Sequence, residues 1–215
     1  MSYWQDEAAP AISEAVAPLR GVYEADVAVI GAGITGTALA IELARAGIRV
    51  ALVEARRVAA GASGRNGGFL LGGTAETYAA TCSRYGHARA QRIWAFSQTN
   101  NALARERIGE LAALGWDSGY RQTGSMRLAC AEAELESIRA SVVQLQQDGW
   151  TAQLVGREDL PLRLRAAYLG GSYHPGDGDI HPARFVRGLA ELARRAGAMI
   201  FEESPVTALC EDGEG

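Results

Sequence analysis

Residues 25–54 read ADVAVIGAGITGTALAIELARAGIRVALVE, and this stretch decides the fold. Ala25–Ile30 is a short apolar run rich in Val, the pattern of a strand buried on both faces. Gly31, Gly33 and Gly36 follow as G-x-G-x-x-G. The first glycine allows a tight turn, the second lets a pyrophosphate approach the backbone, and the third lets helix and sheet pack closely. From Ile34 to about Ala46 the spacing predicts a helix, with Ala40, Leu43, Ala44 and Gly47 along one face. Its free N-terminal N–H groups and its dipole point at the turn, where an anion would sit. Arg49–Val53 is expected as the second strand, and Glu54 ends it with a carboxylate suited to ribose hydroxyls and unfavourable to a 2′-phosphate. A ligand-free βαβ unit could carry a glycine turn too. Here strand, turn, helix and acidic residue all stand where an adenine dinucleotide needs them.

The chain of 215 residues is long enough for one large domain or two small ones. Its 48% hydrophobic and 21% charged residues place it among globular proteins. A net charge of −4 gives no reason to expect nucleic acid or an anionic membrane as a partner. All 21 basic residues are Arg, which excludes a Schiff-base or Walker-type lysine from this stretch. Cys82, Cys130 and Cys210 form no C-x-x-C and do not cluster with His at metal spacing, so each is expected as a small core residue in a reducing compartment. No apolar run reaches the ~20 residues of a membrane span, and the N-terminus lacks the basic start and apolar run of a signal peptide. The expectation is a cytoplasmic protein.

Residues 1–24 read as an arm over the folded body, with Trp4 and Tyr23 as anchors. After Glu54 comes ARRVAAGASGRNGGFLLGG, which composition alone would allow as a flexible linker. Ser63, Arg65 and Asn66 interrupt its glycines with donors suited to phosphate and to a planar polar ring. Residues 75–115 are expected as helix in two pieces divided at Gly86, with Ala104, Ile108, Leu111 and Gly115 on a packed face and Trp94 and Phe96 in the core. Strands are expected over Gly124–Cys130, Thr151–Val155, Ala166–Tyr173, Ala198–Glu202 and Pro205–Cys210, with a helical turn near Glu158–Leu164. A helix over Glu132–Gln147 carries Leu135, Ile138, Val142 and Leu145 as its stripe. A further helix opens at His181-Pro182, after the turn Pro175–Asp179, and carries Phe185, Leu189, Leu192 and Ala196 as far as Gly197. Asp212-Gly213 after a strand signals a hairpin whose partner strand does not follow, so the chain is expected to be the N-terminal part of something longer.

The fingerprint together with GASGRNGG resembles the FAD-dependent oxidoreductases of the D-amino-acid oxidase (DAO) family, nearest its branch containing gamma-glutamylputrescine oxidase. The SYW arm, PGDGDIHPARFVRGLA and SPVTAL share that likeness. The resemblance implies an α/β chain: a Rossmann-like FAD/NAD(P)-binding fold with a partial α+β substrate domain, C-terminally truncated. It divides as an arm (1–24), a βαβ and glycine segment (25–75), a helical and substrate region (76–180) and a return to the nucleotide-binding part (181–215). It implies FAD as cofactor, with Gly31, Gly33, Ile34, Thr35 and Gly36 at the pyrophosphate and Glu54 at the adenosine ribose. Ala55 and Arg56 would lie on the adenine side, and Val206 would meet the adenine through its backbone. Ser63, Arg65, Asn66, Gly67 and Gly68 would run along pyrophosphate, ribityl chain and flavin ring. The implied reaction oxidises a C–N bond of a small amine or amino acid by hydride transfer to flavin, and water then hydrolyses the imine. Oxygen or another acceptor reoxidises the flavin. No catalytic residue is assigned, because such chemistry does not oblige a distinct protein base. Tyr173, His174 and His181 are read as capping and packing residues. An NAD-dependent dehydrogenase, with no role for Ser63–Gly68, and a non-catalytic flavin-binding module stand as alternatives.

Overall fold

The computed structural model describes residues 2–7 and 16–211; Pro10 of the arm and the Asp212-Gly213 turn lie outside them. The elements in chain order are α1 (Tyr3–Glu7), β1 (Val27–Ile30), α2 (Ile34–Arg45), β2 (Val50–Val53), β3 (Phe69–Leu70), α3 (Tyr78–Tyr85), α4 (His87–Ala113), β4 (Ser125–Ala129), α5 (Glu132–Gln147), β5 (Gln153–Gly156), β6 (Gly170–His174), β7 (Gly178–Asp179), α6 (Pro182–Arg195) and β8 (Met199–Phe201). Two compact units result, one of residues 1–68, 107–119 and 180–215 and the other of 69–106 and 120–179. The sequence division fell at 75/76 and 180/181, and residues 107–119 group here with the first unit.

The first unit is built on a parallel sheet of order β1-β2-β8, with Val27 opposite Val50 and Ala51 opposite Met199. β2 is buried along its whole length because it is the central strand. β1 departs from the expectation of burial on both faces. It pairs with β2 alone among the described strands, and Ile30 stays 54% exposed. Ile41, Val50, Leu52, Leu111 and Val186 are fully buried in this unit. The last two turns of α4 are tied to α2 through Arg107, which donates to Glu42 and to Glu110, while Arg45 of α2 also pairs with Glu110. Leu111 from the expected packed face is buried, with Ala104 and Ile108 half-buried. Residues 205–210, expected as a strand, form none. After β8 the chain turns through Glu203, at φ 50, and gives its last ladder-like bond from Ser204 N–H to Glu54 O; beyond it no described neighbour pairs with the Pro205–Cys210 backbone.

The second unit holds an antiparallel sheet of order β4-β6-β5, with Leu128 opposite Gly171 and Val155 opposite Gly171, and a small antiparallel pair β3-β7. The stripe of α5 is buried as its spacing requires: Leu135, Ile138, Val142 and Leu145 join Tyr78, Ala90 and Trp94 in one core. Burial of each such aliphatic side chain stabilises by roughly 1.5–3 kcal/mol before entropy is counted. Tyr78 and Trp94 meet edge to face at 5.4 Å between centroids. Phe96 departs from the core expectation. Two residues beyond Trp94 on a helix it points about 200° away, and it is 76% exposed. The strand expected from Ala166 begins only at Gly170, because Ala167 and Tyr168 N–H close turns onto Leu164 O. The cysteines also differ from expectation: Cys82 packs on the core, whereas Cys130 and Cys210 are exposed. No helix among the described residues is long and apolar enough to cross a membrane.

Candidate functional site

The glycine turn between β1 and α2 carries the candidate site. Gly36 has no side chain for a physical reason: a Cβ there would collide with the Gly31 carbonyl. Thr37 is the first residue of α2 whose N–H closes an intrahelical bond, to Gly33 O at 3.0 Å, so Ile34, Thr35 and Gly36 have no acceptor within the helix. The cap residue Gly33 offers no side chain to satisfy them. Ser63, from the downstream glycine segment, reaches over instead, and its Oγ accepts the Ile34 N–H at 3.0 Å. Gly31, Gly33, Ile34, Thr35, Gly36 and Ser63 thus share one concavity of about 480 Å³ in the first unit. A helix end with free N–H groups and a facing hydroxyl is a seat for a phosphate anion.

Glu54 sits beside this turn at the end of β2. Its Oε2 accepts the Ala32 N–H and its Oε1 the Arg56 N–H, both at 2.9 Å, which fixes the carboxylate at the edge of the glycine turn. Each oxygen keeps lone-pair capacity for a hydroxyl donor. Ala55 and Arg56 follow it and are exposed.

The segment 61–68 folds into a 3-10 turn at Ala62–Gly64 and then closes on itself. Asn66 Nδ2 donates to Ser63 O at 3.1 Å, and its Oδ1 accepts the Gly68 N–H at 2.9 Å, so the amide braces the loop. Arg65 Nε donates to Gly61 O at 3.3 Å, with its side chain exposed. Gly67 is exposed, while Gly68, at φ +73, lies against the Ile180 carbonyl where a Cβ would collide. Of the residues assigned from the resemblance, the structure gathers the fingerprint and Ser63 into one concavity. Arg65, Asn66 and Gly67 sit on the adjoining loop, and Val206 is exposed on the segment that forms no strand.

The polar residues flanking the 175–179 turn have local hydrogen-bond partners. His181 caps α6, its Nδ1 accepting the Arg184 N–H at 3.1 Å, and Pro182 fills the first helical position. Burial pushes the His181 imidazole below its ordinary range; Arg184 adds to the effect and Glu7 opposes it. His174 also lies low, through burial first and Arg127 next, against the opposing Asp177, and its Nε2 meets Ser172 Oγ at 3.1 Å. Tyr173 OH donates to Thr123 O. The sequence reading missed the N-terminal helix. Ser2 Oγ accepts the Gln5 N–H and Gln5 Oε1 accepts the Ser2 N–H, a capping box that the Ser-x-x-Gln spacing could have signalled. Trp4 meets His181 edge to face at 5.0 Å, and Tyr23 lies against Phe201 at 4.8 Å between ring centroids.

FAD fits these residues on structural grounds: Thr35 and Gly36 N–H groups without an acceptor in the helix for its pyrophosphate, a carboxylate held beside the turn for its ribose, and open space over Gly31. The family model described as FAD dependent oxidoreductase, DAO, matches residues 26–215. The probable oxidoreductase OrdL of Haemophilus influenzae is 31% identical over 202 residues, covering 90% of this chain and 45% of its own length. Gamma-glutamylputrescine oxidoreductase of Escherichia coli is 31% identical over 85% of this chain and 42% of its own. Glycine oxidase of Geobacillus kaustophilus superposes with a TM-score of 0.65 at 26% identity, over 85% of this chain and 47% of that one. The chain therefore spans less than half the length of these relatives. With a fingerprint turn open to a dinucleotide and a family match along nearly its whole length, this chain belongs to the FAD-dependent oxidoreductases of the DAO family.

Proposed function

We propose that the protein to which this chain belongs oxidises the C–N bond of a small amine or amino acid by hydride transfer to FAD. The observation that carries the reading is the N-terminus of α2, where the Thr35 and Gly36 N–H groups have no acceptor in the helix and Ser63 meets the Ile34 N–H, inside one concavity. FAD, when bound, supplies the hydride acceptor. The chain's own groups bind and orient it. The N–H groups of Gly33, Ile34, Thr35 and Gly36 would hold the pyrophosphate, and Glu54 the ribose hydroxyls. Ser63 would exchange its bond from the Ile34 N–H for one with phosphate. Arg65, Asn66, Gly67 and Gly68 would border the ribityl chain and ring, with Asn66 keeping that loop closed. Ala55 and Arg56 would flank the adenine, with the backbone at Val206 on the same side. The names of the relatives support an amine substrate such as gamma-glutamylputrescine, with oxygen or another acceptor completing the cycle. The unpaired Cys82, Cys130 and Cys210 suit a reducing cytoplasm.

The test is the visible spectrum of the purified protein before and after denaturation, followed by anaerobic addition of amines. Flavin absorbance released as free FAD, and bleached by an amine, is the expected result. A folded protein that takes up no added FAD overturns the reading.

A further inference from the structure

We propose that α1 is a clamp that holds the 59–64 segment in register with the glycine turn, with Ser2 and Gln5 as positioning residues for the cofactor site. The inference rests on the FAD reading above but stands on its own contacts. Both side chains of the α1 capping box are used twice. Ser2 Oγ accepts from Gln5 N–H and donates to Gly64 O at 3.0 Å. Gln5 Oε1 accepts from Ser2 N–H, while its Nε2 donates to Ala59 O and to Ala60 O, each at 3.0 Å. Every donor and acceptor of the box is engaged, and three carbonyls of the glycine segment are satisfied by it.

Those carbonyls belong to a strained place. Ala59 is 1% exposed and holds φ at 63°, a left-handed conformation that a residue with a Cβ rarely adopts unless its surroundings impose it. The Ala59 N–H donates to Ala32 O at 3.1 Å, inside the G-x-G turn, and Gly64 directly follows Ser63, whose Oγ accepts the Ile34 N–H. Two short paths therefore lead from α1 to the pyrophosphate seat: Gln5 through Ala59 to Ala32, and Ser2 through Gly64 and Ser63 to Ile34. The helix is itself pinned at its far side, with Trp4 edge-on to His181 and Glu7 3.9 Å from Arg184.

Gln5→Glu is the discriminating variant. A glutamate keeps the acceptor that closes the capping box, so α1 persists, but it has no donor for Ala59 O and Ala60 O. Hydrogen–deuterium exchange of the apo-protein should run roughly tenfold faster over residues 57–68 in Gln5→Glu and in Ser2→Ala, the loss of one or two net hydrogen bonds. Exchange in α5, in the other unit, should not change. FAD titrated by fluorescence quenching should bind about tenfold more weakly, because less of the protein holds the binding-ready loop. Ser2→Thr should restore both readouts, and Asp6→Asn on the same helix should move neither. Unchanged exchange over 57–68 overturns the clamp. Faster exchange with unaltered FAD affinity overturns the positioning role, and faster exchange throughout α5 makes α1 a general stabiliser instead. If wild-type protein takes up no FAD while the exchange response is present, the clamp holds and the cofactor reading fails.

Discussion

The N-terminus of α2 rests on Gly33, which has no side chain to cap it, whereas that of α6 rests on His181, whose ring accepts the Arg184 N–H. Both helices lie in the same unit and both begin after a turn. At α6 the chain supplies everything itself: a cap, a proline at the first position, and Trp4 packed edge-on against the capping ring. At α2 one N–H is met by a hydroxyl borrowed from 29 residues downstream, and Thr35 and Gly36 have no acceptor inside the helix. The difference separates a helix end that the chain caps itself from one whose N–H groups are left in part for an anion under the reading proposed above.

The comparison breaks most sharply at Gly36. Gly36→Val should cost about 3 kcal/mol by overpacking against Gly31 O and weaken FAD binding at least roughly a hundredfold, read by thermal denaturation and by flavin titration. A variant that stays stable and keeps FAD would mean that helix and turn do not need this close approach. His181→Ala should destabilise by about 1–2 kcal/mol through the lost cap, with a much smaller effect on FAD than Gly36→Val. Equal loss of cofactor from both variants would erase the distinction between the two helix ends.

Acid sharpens the same contrast. His181 and His174 both have folded-state pKa values below the unfolded one, each held there chiefly by burial, so their stabilising contribution is present above the unfolded value and is lost as pH falls through the folded one. The urea midpoint should therefore drop between about pH 7 and pH 5. His181→Asn, which caps without titrating, should flatten part of that slope; an unchanged slope would show that His181 keeps the same charge in both states. The smallest effect is expected at Ser63→Ala, no more than about 1 kcal/mol, since its hydroxyl caps a single half-exposed helix end. A loss well above that in the apo-protein would make the α2 end structural after all.

Much of this molecule was legible locally. The β2 strand, the stripe of α5, the break at Gly86 and the His181-Pro182 helix start are written in residues that neighbour one another, where propensity and period act directly. The α2 fingerprint was equally plain at Gly31, held at φ 97, and at Gly36, which packs on the Gly31 carbonyl, whereas the neighbour of Gly33 is Ser63, 30 residues downstream. Where the reading failed, the deciding partner was distant or missing. Residues 205–210 have strand composition but no neighbour to pair with among the described residues, and a strand is defined by its ladder rather than by its residues. Phe96 was misplaced because apolar character alone does not say which side of a helix meets the core.

The sequence by itself determined the βαβ unit, its dinucleotide fingerprint and the family, because these depend on short-range geometry and on residue types at fixed spacing. Tertiary structure alone decided that Ser63 meets the end of α2, that Asn66 braces its own loop, that Arg107 is buried between two glutamates, and that Ser2 and Gln5 hold the glycine segment across 54 to 62 residues of chain. Such contacts are set by how packed elements bring remote polar groups within hydrogen-bond reach, and no local pattern encodes which carbonyl a side chain will find.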